Sequence, residues 1–129
     1  MRPAIAATAV ACLFAGLATG PAAAQGLDLI KAPYGNENGC KVGRGEQVAG
    51  DDFLLLRPDG IDAYASSCEF VQSLAAKDGS RVMTGLCDEE GQEGKTVRML
   101  SVRPGVGDAS VIAVYDEDGG LWGEVKPCP

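Results

Sequence analysis

The stretch Phe53-Leu54-Leu55-Leu56-Arg57-Pro58-Asp59-Gly60-Ile61-Asp62-Ala63-Tyr64-Ala65 sets the fold class. Two short apolar runs, Phe53–Leu56 and Ile61–Ala65, flank a turn. Proline presets φ at the second turn position and Gly60 tolerates positive φ after it, so the stretch predicts a β-hairpin. The same texture continues downstream. Cys68–Leu74 and Arg81–Cys87 flank Lys77-Asp78-Gly79, and Asp88–Lys95 is a polar loop with Gly91 and Gly94. Thr96–Arg103 stops at Pro104-Gly105, Ser110–Tyr115 is β-branched and apolar, and Leu121–Val125 follows the acidic turn Asp116–Gly120. Seven short apolar or alternating runs at this spacing predict an all-β domain: a small antiparallel meander, curled or closed into a barrel or sandwich.

Upstream of Asp51 the pattern fades. Residues 25–50 carry Pro33, Gly35, Asn36, Asn38, Gly39, Gly43, Gly45 and Gly50 and show no sustained period. They read as an irregular lead-in to a β domain over 51–129, with single helical turns expected at Leu27–Lys31 and Glu46–Ala49. The first 24 residues read as an export signal. Met1-Arg2 is a short positive start, Ala4–Ala18 is apolar, and Ala22-Ala23-Ala24 is a small-x-small cleavage site, leaving Gln25 as the first mature residue. The apolar run is shorter than a membrane span needs. Cys12 lies midway along that run, too early for a lipoprotein signal. The expected compartment is the periplasm or the outside of the cell.

Export gives the remaining cysteines their meaning. Cys40, Cys68, Cys87 and Cys128 form an even set that meets an oxidising compartment. Four cysteines permit three connectivities. Cys68 opens one strand of a hairpin and Cys87 closes its partner, so an antiparallel register places them opposite each other. Cys40–Cys128 is then the second bridge. Metal or redox chemistry is the rival reading. The chain has no histidine, and no two cysteines stand as C-x-x-C, whereas zinc sites are usually built from closely spaced ligand pairs. No cofactor is expected.

The set of Cys40 in a Gly-rich stretch, a hairpin, Ser66-Ser67-Cys68-Glu69, Leu86-Cys87-Asp88-Glu89-Glu90-Gly91, an apolar strand and a final Cys128 resembles small secreted four-cysteine proteins of Gram-negative bacteria. That resemblance implies an all-β fold; the family is functionally uncharacterised and supplies no catalytic residues to carry over. Periplasmic inhibitors of lysozyme are a second comparison by size and compartment. Their Ser-Gly-x-x-Tyr and Tyr-x-x-x-Thr-Lys-Gly motifs are absent; the nearest fragments are Ser66-Ser67 and Gly94-Lys95-Thr96.

Charge and side-chain inventory narrow the function. The formal net charge is −7 and no basic run exists, which argues against nucleic-acid binding. Asp116-Glu117-Asp118-Gly119-Gly120 fails the EF-hand pattern, because Leu121 and Pro127 fall where Gly and Glu are needed. Serine catalysis normally requires a base, most often histidine. The reading is therefore a non-catalytic binding protein with an unknown protein partner and no membrane span in the mature chain. A hydrolase inhibitor acting through Asp88–Lys95 or Asp116–Gly120 is the alternative. Trp122, Tyr115, Asp116 and Asp118 are the expected partner contacts, with Tyr115 and Trp122 as an exposed aromatic pair across the last hairpin or Trp122 half-buried in the core.

Overall fold

Eight antiparallel strands close on themselves in chain order in a computed structural model that describes residues 30–129. They are β1 (Tyr34–Gly35), β2 (Leu54–Arg57), β3 (Gly60–Ala63), β4 (Ser66–Ala75), β5 (Arg81–Glu89), β6 (Thr96–Pro104), β7 (Ile112–Tyr115) and β8 (Leu121–Pro127), with one short helix, α1 (Glu37–Gly43), between β1 and β2. The expected antiparallel barrel is thus present, and each of the seven anticipated runs overlaps a strand. The proposed signal segment lies outside the described residues. Among those residues no helix is long and apolar enough to cross a membrane.

Alternation places the core. Leu54, Leu56, Ile61, Phe70, Met83, Leu100, Val102, Val114 and Val125 point inward and are almost fully buried. An irregularity in the β4–β5 register between Phe70 and Gln72 shifts the parity of β4, so Ser73 rather than Leu74 turns inward. Its hydroxyl accepts from Arg81 Nη1 at 3.0 Å. Leu74, Val82, Val97 and Met99 are left exposed on the outside of β4–β6.

Both disulfides form as expected. Cys68 stands directly opposite Cys87 in the β4–β5 ladder, with 4.0 Å between Cα atoms, and the bridge lies inside the barrel. Cys40–Cys128 ties α1 to the residue after β8, with 5.3 Å between Cα atoms.

Three expectations need correction. The barrel begins at Tyr34, not at Asp51: β1 pairs with β2 through Tyr34↔Leu56 and with β8 through Tyr34↔Pro127, and so closes the ring. Ordered structure in the anticipated lead-in is this strand and α1. Glu46–Ala49 is loop, and the turn expected at Leu27–Lys31 lies largely outside the described residues, with Lys31 non-helical. Finally, the positive φ that Gly60 tolerates is not used. Glycine is needed because a Cβ there would stand 2.4 Å from the Cys68 carbonyl oxygen.

α1 shows how tertiary contact overrides propensity. Its seven residues include Gly39 and Gly43, poor helix formers. Asn36 caps it, accepting from Gly39 N–H at 2.7 Å, and the same oxygen accepts from Leu54 N–H at 3.0 Å. Glu37 and Lys41 pair one turn apart at 2.8 Å. A Cβ on Gly39 would lie 1.9 Å from the Leu54 carbonyl oxygen, so glycine lets the helix pack directly on the β2 backbone.

Candidate functional site

In an antiparallel meander, alternate connections leave at alternate ends of the barrel. One rim therefore collects residues 51–53, 64–65, 90–95 and 116–120, and with them Asp51, Asp52, Glu90, Glu93, Asp116, Glu117 and Asp118, against Lys95, which is paired with Asp88. The opposite rim mixes signs: Asp59, Asp78 and Asp108 lie among Arg57, Lys77, Arg81 and Arg103. The sheet order thus converts a net negative chain into a barrel with one acidic mouth.

A cleft opens at that mouth because β1 is short. After Gly35 the chain leaves the sheet to start α1, so residues 122–124 of β8 face residues 51–54 with no strand between them. The inner side is sealed by Leu54, whose Cδ2 would lie 2.9 Å from a Cβ on Gly123. The outer side is a cavity of about 330 Å³. The cavity is mainly polar; Phe53, Tyr64 and Trp122 line it together with the acidic residues Asp51, Asp52 and Glu124. Among the described residues none of these three carboxylates is in an ion pair. Among the described residues the only side-chain hydrogen bond to the Asp52 carboxylate is from Asn36 Nδ2 at 3.4 Å.

Trp122 is half-buried and packs against the core from the top of β8, at the irregularity in the β7–β8 ladder. The Arg98 guanidinium lies over its ring, 5.5 Å from the centroid, and bridges Glu89 at 3.1 Å and Glu117 at 3.3 Å. That arginine thereby pins the 116–120 turn to the barrel. Tyr64 is 56 % exposed, enough to swing onto a ligand. Its neighbour Ala65 sits at φ 59°, a left-handed conformation that costs a non-glycine residue about 1–2 kcal/mol. Such strain is kept where surrounding structure imposes it, commonly beside binding sites.

The residues expected to meet a partner are placed unequally. Tyr115 and Trp122 do not form an aromatic pair. Tyr115 stands opposite Leu121 and lies under Arg103, 4.6 Å from guanidinium carbon to ring centroid, whereas Trp122 turns toward the core and the cleft. The Asp116 carboxylate is occupied by its own turn, accepting from Asp118 N–H at 3.1 Å and Gly120 N–H at 2.7 Å. Asp118 is exposed. In the other acidic loop, Lys95 closes on Asp88 at 2.7 Å. Sequence reasoning missed Asp51, Asp52, Tyr64 and Glu124. Asp51, Asp52 and Tyr64 meet across the β2–β3 hairpin, where Leu54 pairs with Ala63, and only barrel closure brings Glu124 to them, which no spacing in the chain signals. Among the described residues no three His, Cys, Asp or Glu side chains converge as a metal site.

An aromatic wall bearing unpaired carboxylates is suited to a cation on an apolar stem. The carboxylates neutralise the charge, the exposed Tyr64 ring offers it a face, and the stem covers the aromatic edge, while the Trp122 ring already carries Arg98. Comparison with protein-family models, with curated proteins and with solved structures finds no match.

Proposed function

We propose that this is an exported, non-catalytic binding protein whose acidic barrel mouth takes a lysine or arginine side chain of a protein partner. One observation carries the reading: Trp122, Tyr64 and Phe53 share a cleft with Asp51, Asp52 and Glu124, three carboxylates without cationic partners among the described residues. Two disulfides support an oxidising, extracytoplasmic setting, and a periplasmic or secreted location is part of the proposal. The acidic rim also steers basic partners toward the cleft at a distance.

Trp122 is the chain's single tryptophan, so its emission reports directly on the cleft. Titration of the oxidised domain with an arginine-bearing peptide amide should shift that emission and weaken as salt rises. The same peptide with citrulline should not bind. Equal response to both peptides would overturn the reading. Inhibition of a basic hydrolase such as lysozyme is the narrower alternative, favoured by the acidic rim itself. An activity assay separates the two: binding without inhibition at micromolar concentration removes the alternative and leaves the binding function.

A further inference from the structure

The aromatic cleft is not an isolated hole. A second cavity, of about 420 Å³, lies further along β8 under α1, and Asn36 and Glu124 line both. The two are therefore parts of one groove that follows β8 from Trp122 toward its end. The second cavity differs in charge: it adds three cations to the carboxylates of Glu37 and Glu124. The second cavity is walled by backbone and apolar groups of Gly35, Cys40, Pro127 and Pro129, and its cations are Lys41, Arg44 and Lys126.

These cations differ in how free they are. Lys41 is held by Glu37 at 2.8 Å and Arg44 by Glu46 at 2.7 Å, both in solvent-exposed pairs of the kind that contribute little and exchange readily. Lys126 makes no ion pair among the described residues; its charge is felt at a distance by Asp108. Lys126 and Glu124 are two residues apart on one strand, so they project to the same side. Trp122 to Lys126 is four residues of strand, ~13 Å.

We infer that the groove binds an extended peptide segment carrying a basic side chain at one end and a carboxylate three or four residues away, the carboxylate lying on Lys126 with Lys41 and Arg44 beside it. This rests on the cation reading of the aromatic cleft and extends it to a partner of defined charge pattern. The disulfide and the prolines Pro127 and Pro129 lie just past Lys126, where they give the carboxylate end an apolar border.

The test uses acetylated Arg-Gly-Gly-Gly peptides with a free C-terminal carboxylate or a C-terminal amide, titrated against the oxidised domain by calorimetry and Trp122 emission. The free acid should bind about tenfold tighter than the amide, the gain from one charge-assisted contact. Lys126→Gln should abolish that gain, so that acid and amide bind the variant equally. Asp51→Asn with Asp52→Asn should weaken both peptides. Equal affinity of acid and amide would overturn the two-ended groove while leaving the cation cleft intact; failure of both peptides to bind would overturn both readings. A gain that survives in the Lys126→Gln and Arg44→Gln variants would also refute the assignment.

Discussion

Removing the Cys40–Cys128 bridge is the most informative perturbation of the fold, because that bridge holds α1 and the end of β8 together beside the groove. The bridge spans 88 residues. In the chain-entropy treatment, closing a loop of that length in the unfolded ensemble stabilises the folded state by about 4.6 kcal/mol. Cys40 is largely buried but Cys128 is partly exposed, so replacing both with alanine leaves little cavity to add to that figure. Native bridges in small exported domains commonly contribute about 2–5 kcal/mol. The expected loss for Cys40→Ala with Cys128→Ala is therefore about 3–4.5 kcal/mol, a large share of the roughly 5–15 kcal/mol that a domain of this size possesses. Urea unfolding followed by Trp122 emission and by far-ultraviolet circular dichroism measures it. A loss below about 1 kcal/mol would refute the reasoning, since the two-residue strand β1 and α1 would then be held by their noncovalent contacts alone.

Other outcomes are equally specific. Gly39→Ala should cost about 2–3 kcal/mol or prevent folding, because its Cβ would overlap the Leu54 carbonyl at 1.9 Å; denaturant midpoints check this. Ala65→Gly should raise stability by about 0.5–1 kcal/mol by relieving the left-handed conformation at φ 59°, seen as an increased midpoint. Hydrogen bonds from Ser80 and Ser110 hold the Asp78 and Asp108 carboxyls below the ordinary value of 3.8, and Lys41 does the same for Glu37 relative to 4.5. Groups with depressed folded-state values contribute stability that is present above those ordinary values and disappears as pH falls through the folded ones. Stability should thus decline with acidification below about pH 4, and Asp78→Asn with Asp108→Asn should flatten that decline in pH-dependent melts.

How much of this was legible follows from how local each feature is. The hairpins were readable because Pro58-Asp59-Gly60, Lys77-Asp78-Gly79 and the 116–120 turn sit between apolar runs whose pairing is sequential. The Cys68–Cys87 bridge was readable for the same reason. Tyr34–Gly35 was not, since two residues carry no period and their pairing with Pro127 and Lys126 spans almost the whole domain. α1 was hidden by its own glycines. Gly39 lowers intrinsic helicity yet is required by contact with β2, and that contact is invisible until the ring closes. The cleft follows from the same closure. Its aromatic and acidic residues are ordinary turn and strand residues in sequence, and they acquire a common chemistry only because β1 stops after Gly35.

The claim that a cation enters between Trp122, Tyr64 and the carboxylates is tested most directly by nuclear magnetic resonance shift mapping of the oxidised domain with an arginine-bearing peptide amide. The account predicts saturable shifts confined to Asp51–Leu54, Tyr64 and Trp122–Glu124, suppressed in the Asp51→Asn, Asp52→Asn variant. Shifts centred on the opposite rim around Asp59, Asp78 and Asp108, or none at millimolar peptide, would contradict it.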